Sequence, residues 1–190
     1  MATPSRPRRL HYTGDDEANA LIAQEPLALL IGFVLDQQVT VQKAFSSPLE
    51  LKQRLGGRLE AAEIAGMDAG ELERVFREKP ALHRFPGTMA GRVQELGRAI
   101  VSEYGGDAAR VWQEAKDGGD LRSRLSALPG FGEMKIKALC AVLAKRFGVE
   151  SAQELVPGHP TLGDVDSPEA LERYQEAKRA YKASLKAKSR

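Results

Sequence analysis

The stretch LRSRLSALPGFGEMKIKALC, residues 121–140, decides the fold. Leu121, Leu125 and Leu128 recur at helical spacing before it turns, and Ile136, Leu139, Cys140, Leu143 and Phe147 recur at helical spacing after it. Between them Leu128-Pro129-Gly130-Phe131-Gly132 leaves room only for a tight turn. Two glycines flanking one apolar residue permit positive φ in such a turn, and they leave its backbone N–H groups unshielded. Phe131 is expected to face inward and fasten the turn to the core. With the positive end of the next helix, the free N–H groups make a seat for phosphate, and Lys135 and Lys137 stand just beyond to add charge. The alternative is an ordinary helix–helix turn that needs glycine.

Outward from this hairpin, helical periodicity dominates and no strand pair with a hairpin signal appears. We expect an all-α chain of about ten helices. A short helix from Glu17 to Gln24, capped by Asp15 or Asp16, precedes Pro26-Leu27-Ala28-Leu29-Leu30-Ile31-Gly32-Phe33-Val34-Leu35, which is apolar nearly all round and marks a central buried helix. Ser47-Pro48 is expected to start a separate helix, Thr88 to cap a long one ending at Gly105-Gly106, and Asp166 to open the last. Residues 151–165, with Pro157, Gly158, Pro160 and Gly163, read as an irregular connection.

Composition narrows the chemistry. Cys140 is the single cysteine, which excludes an internal disulfide, a multi-thiolate zinc site and an iron–sulfur cluster. His11 and His159 have no partners at metal-ligand spacing, so no metal or other cofactor is expected. No run of about 18 apolar residues exists, so no membrane span is expected, and the reading is a cytoplasmic, nucleoid-associated monomer. Charge is uneven: residues 1–13 carry net +3 and residues 173–190 net +6, on a middle of net −7. Basic ends on an acidic body either contact a polyanion or keep the tails solvated.

A second signal is Asp36-Gln37-Gln38-Val39-Thr40-Val41, a polar interruption at the end of the apolar helix. Gln37 and Gln38 offer donors and acceptors suited to base edges or a gap in a duplex, or simply mark a helix end reaching solvent. In the loop His83-Arg84-Phe85, Phe85 reads as an apolar wedge for DNA or as a core residue, Arg84 as a phosphate contact and His83 as a surface residue.

Together the hairpin, Ile31–Val41, and Phe85–Ala90 with the helix Arg92–Tyr104 resemble, in order, the helix-hairpin-helix (HhH-GPD) base-excision DNA glycosylase superfamily, nearest the alkyl-purine branch. Pro80–Gly87 and Leu128–Lys137 resemble an actinobacterial subgroup of it. The resemblance implies a helix-hairpin-helix glycosylase-like fold of two helical lobes with a cleft. Its parts would be a basic flexible N-terminus over 1–14, the helical domain over 15–150, the connection over 151–165 and a basic helix over 166–190 packing on the domain. It implies double-stranded DNA containing a damaged base as partner, contacted by Leu128, Gly130, Phe131, Gly132, Lys135, Lys137, Gln37, Gln38, Arg84 and Phe85. Members that also cleave the strand carry a lysine where this chain has Met134, so the resemblance implies a monofunctional DNA N-glycosylase without lyase activity. The family's carboxylate falls on Asp166 within Val165-Asp166-Ser167, with Asp164 next and Asp36 third; Asp166 lies farther from the hairpin than is usual and doubles as a helix cap. Two other readings stand beside this one: a non-catalytic DNA-binding protein, and a helical scaffold for protein partners.

Overall fold

The computed structural model describes residues 6–189. Among them are ten α-helices, two short 3-10 segments and no strand, so the chain is all-α. The helices are α1 (Asp16–Gln24), α2 (Pro26–Leu35), α3 (Val41–Arg54), α4 (Ala61–Gly66), α5 (Ala69–Arg77), α6 (Pro86–Tyr104), α7 (Arg110–Gln113), α8 (Gly118–Ser126), α9 (Glu133–Phe147) and α10 (Pro168–Lys188). No single helix is long and apolar enough to cross a membrane among the described residues.

The all-round apolar pattern of α2 has its expected consequence: Leu27 to Leu35 are all buried. α2 packs on α1, α3 and α6, and α6 packs on α4 and α5. Gly32 lets α2 and α3 approach closely, since a Cβ there would lie 2.4 Å from Cδ1 of Phe45. That ring cannot move aside. It is fully buried and held edge-on by Tyr12 and Phe33, with centroids 5.1 and 5.2 Å away.

Several boundaries differ from those expected. Pro48 lies inside α3, which runs unbroken from a Thr40 cap; Ser46 donates to the carbonyl of Lys43, and the Ser47 hydroxyl shares its one proton between the carbonyls of Lys43 and Leu82. α6 starts at Pro86 rather than after Thr88, because proline at a first helical position costs no hydrogen bond. Ser167, not Asp166, caps α10: its Oγ accepts from the Ala170 N–H at 3.1 Å.

Two expectations about the ends need correction. Residues 10–13 are anchored rather than flexible. Leu10 and Tyr12 are buried, the Tyr12 hydroxyl donates to the Leu162 carbonyl at 2.8 Å, and Asn19 Oδ1 accepts from the Tyr12 and Thr13 N–H groups. The rest of the expected 1–14 segment includes residues 1–5, which lie outside the described residues. Residues 151–165 are no free linker either: 3-10 segments at Glu150–Leu155 and Leu162–Asp164 pack on α9 and bury Ala152, Thr161, Leu162 and Val165. The C-terminal helix packs on the domain only through its first turns. Ala170 and Leu171 are buried, Tyr174 and Gln175 half-buried, and residues 176–189 exposed.

Gly32→Ala should lower stability by ~1–3 kcal/mol, the usual range for overpacking a fixed core. Urea unfolding measures it; an unchanged midpoint would mean that α2 and α3 separate at no cost.

Candidate nucleic-acid interface

The C-terminus of α2 is where the site assembles. A helix end leaves carbonyls without intrahelical partners, and here distant side chains supply them. Lys135 Nζ, from α9, donates to the Val34 carbonyl at 3.1 Å. His83 Nε2 donates to the Leu35 and Gln37 carbonyls at 3.1 and 2.9 Å, while its Nδ1 accepts from the Phe85 N–H at 2.9 Å. That pattern assigns the neutral tautomer with the proton on Nε2. His83 is therefore buried and structural, not a surface residue. Burial lowers its pKa, and Lys135 and Lys43 push the same way against the two backbone bonds.

Beyond Leu35 the chain turns sharply. Gln38 has φ +56°, a left-handed conformation that costs a non-glycine residue free energy and concentrates at functional sites. The turn leaves Gln38 exposed and Asp36 and Gln37 half-buried. Arg92 of α6 donates to Gln37 Oε1 at 2.8 Å, fixing that amide's orientation. Burial raises the Asp36 pKa, opposed by the charges of Lys178 and Lys135. Burial lowers the Lys135 pKa; Asp36 opposes this and Arg92 adds to it. The three cations come from α6, α9 and α10, so three separate helices converge on the Asp36-Gln37 turn.

The hairpin closes on the same place. Gly130 has φ +83°, and a Cβ there would lie 3.5 Å from Val34. Gly130 and Gly132 are exposed, and Gly132, at the N-cap of α9, offers no side-chain cap to the first N–H groups of that helix. Glu133 puts an acid in that first turn, paired with Arg122 at 2.8 Å and Lys137 at 3.9 Å. Leu128 and Phe131, expected among the DNA contacts, are buried at 3% and 6% exposure. They fasten the turn to the core and are corrected from contact residues to supporting ones. Lys137 stands on the exposed face, Met134 is 80% exposed, and Lys135 alone points into the site.

Arg84 and Phe85 form a separate exposed tip at the start of α6. Phe85 is 40% exposed, with the Arg84 guanidinium 5.4 Å from its ring centroid. The core alternative for Phe85 is thereby excluded.

The carboxylates separate clearly. Asp164 accepts from Lys145 at 2.5 Å and from the Thr161 N–H at 2.8 Å in a capping box. Burial raises its pKa, but the hydrogen bonds from Lys145 and Thr161 and the charges of Lys145 and Arg146 outweigh that and lower it. Asp166 is exposed beside α10. Only Asp36 shares a turn with the glutamine pair.

Arg92, Lys178 and the half-buried Tyr174, whose pKa is raised by burial, Asp36 and Asp164, were not singled out as site residues from sequence. Their positions depend on how α6 packs on α2 and where the first turns of α10 meet the body, which no local motif encodes. Among the described residues no group of three or more His, Cys, Asp and Glu could hold a metal ion. No protein-family model, curated protein or solved structure matches this chain.

The folded pKa of His83 lies below its ordinary 6.5, so the unfolded chain takes up the proton first as pH falls. The stability from neutral His83 is complete above 6.5 and is lost as pH falls from there towards the folded pKa. Urea titrations of wild type and His83→Gln across this window should show a smaller acid loss in the variant; parallel curves would contradict it. For Asp36 the sign is reversed. Its folded pKa is above 3.8, so its burial costs stability once pH rises past 3.8. Asp36→Asn should equal or exceed wild-type stability at neutral pH, and a strongly destabilised variant would refute the assignment.

Proposed function

We propose that this chain is a DNA-binding protein of helix-hairpin-helix type that hydrolyses the N-glycosidic bond of a damaged base. The observation that carries this reading is the seating of the hairpin on α2. Gly130 lies against Val34 and Lys135 holds the Val34 carbonyl, two residues before Asp36-Gln37-Gln38. Two motifs about a hundred residues apart are thereby joined, with the exposed Gly130 and Gly132 on one side and Gln37 and Gln38 on the other, an arrangement that supports phosphate contacts beside base-edge contacts. On this reading the helices before and after the α6–α7 junction form two lobes, and the Asp36 turn lies in a cleft between them.

In the reaction, Gly130 and Gly132 hold a phosphate while Gln37, oriented by Arg92, and Gln38 face the gap in the duplex. Phe85 fills the place of the extruded base. Positive charge grows on the sugar as the base leaves, and the Asp36 carboxylate, aimed by the strained turn, stabilises it. A water oxygen bonds to C1′ as the glycosidic bond breaks. The bond's electron pair leaves with the base, and Asp36 accepts the water's proton. A carboxylate with a raised pKa is the better base for that step. Asp36 replaces Asp166 and Asp164 as the preferred carboxylate, because Asp164 is committed to its cap and ion pair and Asp166 stands beside another helix.

Single-turnover base release from duplexes carrying alkylated, deaminated or oxidised bases, read by alkaline cleavage at abasic sites, tests this. Release from at least one lesion, slowed about 10²-fold or more by Asp36→Asn, is expected. Tight DNA binding with no release on any lesion would leave a non-catalytic DNA-binding protein; no DNA binding at all would leave a protein scaffold. Lys135, inward-facing and with a lowered pKa, favours a second chemistry in which its neutral amine bonds to C1′ as the glycosidic bond breaks, the electron pair leaving with the base and the nitrogen's proton passing to Asp36. Borohydride trapping separates the two. No cross-link is expected for the hydrolytic route, and a cross-link lost in Lys135→Gln would establish the lyase route instead.

A further inference from the structure

Helix α10 leaves the body after Gln175. Its first turns bury Leu171 and half-bury Tyr174 and Gln175, and Gln175 exchanges amide hydrogen bonds with Gln42 of α3 at 2.9 and 3.2 Å. From Glu176 to Ser189 every residue is exposed, a projection of about 21 Å at 1.5 Å per residue. From Ala177 to Ser189 it carries Lys178, Arg179, Lys182, Lys186 and Lys188 and no acid. At 100° per residue, Lys178, Arg179, Lys182 and Lys186 fall within an arc of about 100°. Their stripe continues the face that holds Leu171, Tyr174 and Gln175 to the body. Tyr181 and Leu185, 65% and 47% exposed, border it.

The root of this projection adjoins the candidate site. The Lys178 charge acts on Asp36, its Nζ lies 5.7 Å from the Tyr174 ring centroid, and Tyr174 in turn senses Asp36. The hairpin reaches the same aspartate through Lys135. Asp36 therefore has the hairpin's lysine and the arm's first lysine as its two electrostatic partners.

We propose that the free part of α10 is a nucleic-acid arm that follows the sugar–phosphate backbone of the duplex held by the hairpin, with Tyr181 and Leu185 against the sugars. This rests on the DNA reading above and extends it to a second contact surface. Charge complementarity selects the partner. Duplex DNA presents one phosphate charge per roughly 1.7 Å of axis, so a 21 Å single-sign helix has several phosphates within reach. A second copy of the chain is disfavoured, since Lys178 occupies the seam between Leu171 and Leu185 and pairing two copies would bring ammonium groups together. A lipid surface is disfavoured because Tyr181 and Leu185 are the only large apolar side chains on the exposed turns.

The test uses the full chain and its Arg179→Gln/Lys182→Gln/Lys186→Gln variant, which keeps Lys178 and replaces good helix formers with another. Affinity for an undamaged duplex is measured against salt concentration. The wild type should show a steeper dependence of log K on log salt, by about 2–3, and bind about tenfold or more tightly at 0.1 M salt. Equal slopes with both chains bound to DNA would overturn the arm and leave the hairpin reading intact. No DNA binding by either chain would overturn both. If the variant loses only binding to phosphatidylglycerol vesicles, the arm serves a membrane and the nucleic-acid proposal is wrong.

Discussion

The end of α2 cannot stand alone. Nine consecutive buried residues bring a helix terminus to the edge of the core, where the Asp36 and Gln37 N–H groups reach the Phe33 and Leu35 carbonyls but not that of Val34, and an unpaired buried carbonyl costs on the order of 1–3 kcal/mol. The chain meets that cost with Lys135 on Val34 and His83 on Leu35 and Gln37. Each partner belongs to a segment with its own exposed tip: the Gly130–Gly132 turn precedes Lys135, and Arg84-Phe85 follows His83. Satisfying the helix end therefore gathers the hairpin, the strained glutamine turn and the Phe85 tip around one point. A cation at a helix C-terminus is favoured by the helix dipole as well, so Lys135 suits its place on two counts.

The same arrangement places an acid among cations. Asp36 is buried enough to resist ionisation, and Lys135 and Lys178 oppose that resistance without abolishing it. Such a group costs stability at neutral pH. Together with the left-handed Gln38 it concentrates local cost in the Asp36–Gln38 turn. Local cost of this kind persists where the surrounding structure over-determines it, and here Arg92, His83 and Lys135 do so from three directions.

Much of this was legible in the sequence. Helical periodicity gave α2 and α9 and the Gly105-Gly106 end of α6, though not its start, and the two glycines of Leu128–Gly132 announced the turn that Gly130 makes. The polar run Asp36–Thr40 announced the break after α2. What periodicity could not supply is orientation across the core. Asp166 read as the carboxylate because Val165-Asp166-Ser167 resembles the family's motif, with helix capping as its alternative; Ser167 does the capping, and the half-buried carboxylate beside the glutamines is Asp36. Lys135 and Lys137 read as phosphate contacts on different helix faces, about 160° apart, but periodicity left open which of the two faces the core; Lys135 is the one that reaches α2. His83 looked exposed in a loop between prolines because its carbonyl partners lie 46 and 48 residues away.

On the function proposed above, the hairpin and the Asp36–Gln38 turn, joined through Val34, present one surface to DNA. Amide chemical shifts of ¹⁵N-labelled protein titrated with a short duplex measure this directly. The account predicts that Gln37, Gln38, Gly130, Gly132 and Lys135 shift together and saturate at one DNA concentration. Shifts confined to only one of the two segments, or different saturation points for the two, would contradict it.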